Sequence, residues 1–170
     1  MDNKILFEIL QSREDRALMQ REIINRYKHS LISFTLNIPG PHKDSMKYRE
    51  IHDAGMKAII KAIEENGYKA EFTDVIYKNT GSEGFISLDI DPVKLKKITT
   101  KIEDGHKLGR IFDIDVFDSN HKIISRSDLG ISPRKCLICN ETAKICGRLG
   151  THSIEELLGK IDKIYTLYFD

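Results

Sequence analysis

Asp113 and Asp115 are the residues whose type and spacing most directly suggest chemistry. They lie in the run Gly109-Arg110-Ile111-Phe112-Asp113-Ile114-Asp115-Val116, where apolar and polar residues alternate as in a strand. Residues two apart in a strand share a face, so the carboxylates stand roughly 7 Å apart along it. Carboxylates that near raise each other's proton affinity unless a cation lies between them. Mg²⁺ or Mn²⁺ is the expected cation, because hard divalent ions take oxygen ligands and leave room for water and phosphate. Gly109 and Arg110, just before the pair, offer close backbone approach and a phosphate-binding guanidinium. The pattern points to metal-dependent phosphoryl or nucleotidyl transfer. A solvated strand face carrying two aspartates is the plainer alternative. Arg126, on the next expected strand, and Lys43, ahead of a helix, weigh towards phosphate.

Two further groups could bind something. Pro39-Gly40-Pro41-His42-Lys43-Asp44-Ser45 leads from a strand into a helix. Free N–H groups at a helix start attract phosphate, and Lys43 adds charge there. An ordinary capped turn is the other reading. Cys136-x-x-Cys139 is followed by Cys146 and His152, which together could give zinc its four nitrogen or sulfur ligands. The spacing is short for a standard zinc module, and buried free cysteines or redox chemistry remain open alternatives. The other histidines are scattered; only His106 comes near Gly109.

The elements that must position these residues follow from the pattern of the whole chain. It has 170 residues, which suits one compact domain. Lys and Arg number 27 against 26 Asp and Glu, so a dedicated nucleic-acid binder is not expected. No run approaches the ~20 apolar residues of a membrane helix. Met1 to Gln11 carries Asp2, Lys4 and Glu8 and lacks a signal-peptide core. The expected compartment is the cytoplasm, with three cysteines in one short segment fitting reducing conditions.

Residues 1–28 read as a helical N-terminal segment. A core spans 30–126, a Cys-containing loop 127–152 and a C-terminal helix 153–168. Within the core, Leu31–Ile38 alternates as a strand and stops at Pro39-Gly40-Pro41. Asp44 or Ser45 caps a helix to about Glu65, and Asn66-Gly67 ends it. Strands follow at Phe72–Lys78 and Gly84–Ile90; Asp91-Pro92 opens a helix to about Glu103. Ile111–Phe117 is a fourth strand, and Lys122–Arg126 a fifth, paired by a hairpin. Ser153 with Glu156 forms a capping box for the last helix.

The order β-α-β-β-α-β predicts an α+β fold, a ferredoxin-like split β-α-β antiparallel sheet. An N-terminal helix, an added hairpin strand and a C-terminal helix complete it. Helices are expected on the face of Phe34, Leu36, Ile86, Leu88, Phe112, Ile114 and Val116. The face of Ser33, Thr35, Asn37, Ser87, Asp89, Asp113 and Asp115 is expected to stay open.

A set of motifs in order resembles one family. They are Ser12-Arg13-Glu14-Asp15-Arg16, Ser33-Phe34-Thr35, Pro39-Gly40-Pro41, Lys43-Asp44-Ser45 and Glu83-Gly84-Phe85-Ile86-Ser87, followed by residues 109–116. Ile124-Ser125-Arg126, Pro133-Arg134-Lys135-Cys136-Leu137-Ile138-Cys139, Cys146 and His152 complete the set. Together they resemble the citrate lyase holo-acyl-carrier-protein synthase family, CitX, from about Ile9 to Leu158. One departure is His106-Lys107-Leu108-Gly109-Arg110, where the family pattern has proline at the second position. The change affects loop stiffness and keeps the Gly-Arg.

The resemblance implies a nucleotidyltransferase-type enzyme. It would attach the 2′-(5″-triphosphoribosyl)-3′-dephospho-CoA group to a serine of the acyl-carrier (gamma) subunit of apo-citrate lyase, releasing pyrophosphate. Asp113, Asp115 and Arg110 would then be catalytic, with Gly109, Arg126, Lys43, Ser45 and Arg134 binding substrate. Magnesium would sit at Asp113 and Asp115, and structural zinc at Cys136, Cys139, Cys146 and His152 is a further expectation. A non-catalytic module that binds the carrier subunit, or a ferredoxin-like nucleic-acid-binding domain, are the competing readings.

Overall fold

The computed structural model describes residues 3–169; Met1, Asp2 and Asp170 lie outside them. Helix α1 runs Asn3–Tyr27, strand β1 Ser30–Leu36, helix α2 Met46–Glu65, strands β2 Phe72–Ile76 and β3 Glu83–Leu88. Helix α3 follows at Pro92–Gly105, strand β4 at Phe112–Phe117, a 3-10 turn at Ser127–Leu129, α4 at Ala143–Leu149 and α5 at Ile154–Phe169. The strands form one sheet in the order β2-β3-β1-β4, every pair antiparallel. That is the split β-α-β arrangement expected from the element order.

Local chemistry sets the element ends. The Ser45 hydroxyl accepts from the Tyr48 N–H at 3.2 Å and starts α2. The Asp91 carboxylate accepts from the Lys94 N–H at 2.8 Å ahead of Pro92. At the start of α5 the Ser153 hydroxyl accepts from the Glu156 N–H at 3.1 Å, and the Glu156 carboxylate accepts from the Ser153 N–H at 2.8 Å. Both arms of the capping box are therefore closed.

One sheet face carries the main core. Ile32, Phe34, Ile86, Ile114 and Val116 are buried against Ile51 and Ile59 of α2 and Leu95 of α3, and Ile161 of α5 joins them. Helix α2 approaches so closely that a Cβ on Gly55 would lie 2.4 Å from the Phe34 ring. Gly109 is under a similar constraint. A Cβ there would stand 2.5 Å from the backbone carbonyls of Ile102 and Glu103 at the end of α3. This glycine lets the chain turn hard against the helix before entering β4.

The opposite face departs from expectation. It is not open along its length, because α1 lies across it. Ile23 and Ile24 pack on Leu31, Phe85 and Phe117 in a second core. Alternation on β1 places Leu31 beside Ser33 on that face, and the apolar ends of the strands give α1 its seat. Ser33 is buried, its hydroxyl accepting from the Gln20 amide of α1 at 2.9 Å.

Two other expectations are corrected. The fifth strand at Lys122–Arg126 shrinks to a bridge between Phe117 and Ile123. From this segment the Ile124 N–H reaches the β4 edge, at Val116 O, 2.8 Å away. Further along, side chains take the places of a partner strand. Lys96 donates to Ile114 O at 2.7 Å, Glu103 accepts from Ile114 N at 3.1 Å, and Arg134 donates to Phe112 O at 2.7 Å. Arg126 therefore lies beside a 3-10 turn and not on a strand. The Cys-containing segment also holds a helix, α4, where a loop was expected. Among the described residues no helix is long and apolar enough to cross a membrane.

Candidate active site

Helix α1, by crossing the polar face of the sheet, builds a recess at one end of it. Arg13 and Arg16 come from α1, Asn37 follows the end of β1, and Lys43 lies in the loop before α2. The turn from β2 to β3 adds Thr80 and Ser82, and β4 adds Asp113. The recess has a volume of about 160 Å³. Its cations outnumber its anions, which suits a phosphate-rich ligand.

The cations are held differently. Arg16 donates to the Glu83 carboxylate at 3.2 Å, and Lys78 reaches the second oxygen at 2.9 Å. Glu83 is buried, and its Oε1 also accepts from the Ser12 hydroxyl at 3.3 Å. Burial, helped by the nearby charge of Arg13, holds the Lys43 ammonium below its usual range. Lys43 spends one proton on the Ile38 carbonyl. Arg13 is exposed and has no carboxylate partner among the described residues. It is the guanidinium best able to take a phosphate.

Asp113 and Asp115 share the polar face, opposite Thr35 and Ser33 on β1. Asp113 is about half exposed and accepts from Arg134 at 3.2 Å. Asp115 is also open to water, yet enough protein surrounds it that burial raises its carboxyl above the usual range, and the Asp113 charge raises it further. Two carboxylates in this relation match a divalent cation with oxygen ligands. The recess is walled by Asp113, with Asp115 one alternation beyond.

The remaining expected arginines serve other partners. Arg126 binds Glu103 at 2.8 Å and Asp104 at 2.9 Å. Arg110 donates to the backbone carbonyls of Lys135 and Cys136. Arg134 bridges Glu103, Phe112 O and Asp113. Ser45 acts as the cap of α2, and Gly109 packs on α3. His106 stacks on Phe112, ring centroids 5.2 Å apart, and burial lowers its pKa. The structure thus brings Lys43 and Asp113 to one recess and keeps Arg110 and Arg126 at hydrogen bonds within the protein.

Arg13 and Arg16 were not singled out as site residues by spacing. Their signal was the run Ser12–Arg16, whose placement depends on where α1 docks. Thr80 and Ser82 carry no chemical signal in a turn.

The cysteines converge. The ligand atoms of Cys136, Cys139, Cys146 and His152 all lie within 4.8 Å of one another, a candidate Cys₃His metal-binding cluster. Cys139 Sγ and Cys146 Sγ are 3.4 Å apart, and all three thiols are free. Burial raises the Cys136 thiol, but backbone N–H donors of Cys139 and Ile138 outweigh it and hold the thiol below its usual value. Burial and the neighbouring thiols push Cys146 up to about 11. His152 Nε2 is buried without a hydrogen-bond partner among the described residues. Free sulfurs crowded beside an orphaned imidazole nitrogen form a donor set that fits a thiophilic divalent ion. Beside the cluster lies a more apolar cavity of about 410 Å³, walled by Pro39, Leu137, Ile154 and Leu157, with Asn37 and Arg110 among its polar residues.

A split β-α-β sheet with a cationic recess beside paired carboxylates has the charge to accept a phosphate ester. The chain belongs to the CitX family, apo-citrate lyase phosphoribosyl-dephospho-CoA transferase, whose model matches residues 4–168. A probable apo-citrate lyase phosphoribosyl-dephospho-CoA transferase of Vibrio cholerae serotype O1 is 37% identical over 160 residues, 94% of this chain and 90% of the relative. The apo-citrate lyase phosphoribosyl-dephospho-CoA transferase of Shigella boydii is 34% identical over 157 residues, 92% of this chain and 86% of the relative. A relative of that name from Escherichia coli has the same identity and coverage.

Proposed function

We propose that this chain is a transferase that moves the phosphoribosyl-dephospho-CoA group onto apo-citrate lyase. The observation that carries the reading is the recess in which Arg13, Arg16 and Lys43 meet Asp113. The donor is triphosphoribosyl-dephospho-CoA, and the acceptor is a serine of the acyl-carrier gamma subunit. The serine oxygen attacks the phosphorus attached to the ribose. A P–O bond to serine forms, the P–O bond to the outer two phosphates breaks, and pyrophosphate leaves. The nucleophile sits on the partner, so this chain needs to supply only binding, charge and a proton acceptor.

Arg13, Arg16 and Lys43 bind the triphosphate and offset the charge that builds on the departing pyrophosphate. One of the two aspartates takes the serine proton. Asp113 and Asp115 would hold Mg²⁺ or Mn²⁺, which supplies Lewis-acid charge neutralisation when bound. Arg110, Arg126 and Arg134 support the site through the protein contacts described above. The apolar cavity beside the cysteines has room for the adenine or pantetheine portion of the donor. Zinc is the ion proposed for the Cys₃His cluster, consistent with a chain that works in the cytoplasm with reduced thiols.

The test is transfer itself. Purified protein, the gamma subunit, triphosphoribosyl-dephospho-CoA and Mg²⁺ should give a carrier heavier by the prosthetic group, with one pyrophosphate released per carrier modified. Binding of the carrier without mass gain or pyrophosphate would overturn the enzyme reading in favour of a carrier-binding module.

A further inference from the structure

The cysteine cluster and the acidic strand are joined by two arginines. Arg134 stands two residues before Cys136 in the chain. Its guanidinium crosses to β4, donating to Phe112 O at 2.7 Å and Asp113 at 3.2 Å, and also to Glu103 at the end of α3. Arg110, just ahead of β4, reaches the other way and donates to the carbonyls of Lys135 and Cys136. The two side chains tie the same short piece of backbone to the same strand from opposite ends.

Apart from Leu137 and Leu129, which pack on the main core, that backbone is held mostly by its own hydrogen bonds. From residue 130 to residue 142 there is no helix or strand. The segment closes on itself by a bridge between Lys135 and Thr142, by Ala143 N to Arg134 O at 2.9 Å, and by Cys136 N to Glu141 O at 2.7 Å. All of these lie within the knuckle that carries the four convergent ligands. A loop without regular secondary structure is held more firmly in one conformation by a cross-link. Bound metal is such a cross-link, because it joins residues 136, 139, 146 and 152 at one point.

Resting on the reading of Asp113 as part of the transfer centre, we infer that a thiophilic divalent ion of the zinc type, bound by Cys136, Cys139, Cys146 and His152, positions Arg134 against Asp113. The metal takes no part in the bond changes of the transfer. It orients a positioning residue, Arg134, which fixes the rotamer of Asp113 and shields it electrostatically from Glu103. The knuckle is then a metal-dependent device for setting the acidic pair, and the α+β sheet folds without it.

The experiment uses the whole chain. Metal analysis of the purified protein should find about one zinc per chain. Cobalt added after chelation should give the thiolate-to-cobalt absorption of a tetrahedral sulfur-rich site. Cys139→Ser should abolish that absorption, leave the thermal transition of the sheet in place, and lower the turnover number for transfer between about 10-fold and 100-fold. Arg134→Ala should cause a loss of the same order with metal still bound. The double variant should be no worse than Arg134→Ala alone, because the metal acts through that side chain.

Multiplying losses in the double variant would overturn the inference, as would full activity in chelated wild type or collapse of the sheet on metal removal. Absence of zinc and of the cobalt spectrum in an active wild type would also overturn it while leaving the proposed transfer intact. A wild type that binds cobalt at the thiolates yet never modifies the carrier would refute the transfer reading, and with it the role assigned to Arg134.

Discussion

Arg134 Nη2 lies 3.2 Å from Asp113 Oδ1, so the carboxylate walling the cationic recess is also bound to the segment that leads into the cysteine cluster. The same guanidinium holds buried Glu103. One side chain therefore connects the end of α3, the edge of β4 and the knuckle.

Removing either aspartate charge should remove transfer and spare the fold. Asp113→Asn and Asp115→Asn keep the side-chain shape on a water-exposed strand face. Each should lower transfer by roughly 100-fold or more, as expected when a group acting on developing charge is lost. Carrier mass gain against time is the measurement. Near-normal rates in both variants would remove the acidic pair from the mechanism.

Arg13 and Arg16 should separate binding from stability. Arg13→Ala should raise the KM for the triphosphate donor by about 10-fold to 100-fold, since a charge-assisted contact contributes about 1.5–3 kcal/mol. Its thermal transition should stay unchanged, because no carboxylate depends on it. Arg16→Ala removes a partner of buried Glu83 and should lower the transition temperature as well as binding. Equal thermal losses for the two would contradict this division.

Glu103 should be a stability hub. It is 2% exposed and holds Arg126, Arg134 and the Ile114 N–H. Glu103→Gln removes the buried anion from two guanidinium groups and leaves them only the more exposed Asp104 and Asp113, a change costing roughly 3 kcal/mol. Urea denaturation of the variant should show that loss at an unchanged m-value.

Gly109→Ala tests whether the glycine before the acidic strand serves packing. The new methyl would press on the carbonyls of Ile102 and Glu103, and overpacking of this kind costs about 1–3 kcal/mol. The expected result is a lower transition temperature with donor KM preserved in the folded fraction. A changed KM at unchanged stability would instead place Gly109 at the phosphates.

Acid should weaken the fold through His52. This residue is fully buried and stacked on Phe34, and burial lowers its pKa from 6.5 to about 4. The unfolded chain takes up the proton near pH 6.5, while the folded chain resists until about pH 4. Stability contributed by neutral His52 is thus complete above pH 6.5 and is lost as the pH falls towards 4. The loss is on the order of 3 kcal/mol. His52→Phe should flatten that part of the stability profile, and an unchanged profile would refute the assignment.

Much of the fold was legible because its signals are local. Alternation marks β1 and β4, while Ser45, Asp91-Pro92 and the Ser153/Glu156 box mark three helix starts. The order of these elements was enough to name a split β-α-β sheet. The fifth strand failed because the choice between a strand and the side chains of Lys96, Glu103 and Arg134 for the β4 edge is made between distant segments. Helix α4 is only seven residues long, and its apolar residues Ala143, Ile145 and Leu149 are too few to separate it from a loop.

By itself the sequence determined the composition of the site: a carboxylate pair on one strand face, a lysine before a helix, and four potential metal ligands within one short segment. Period-2 geometry and ligand chemistry act over a few residues, so they can be read along the chain. Only tertiary structure decided the assembly. It laid α1 over the polar face, bringing Arg13 and Arg16 to Asp113, and it committed Arg126 to Glu103 and Arg110 to the knuckle backbone. A guanidinium is free for phosphate or occupied by a carboxylate according to what packs beside it, and that depends on segments tens of residues away.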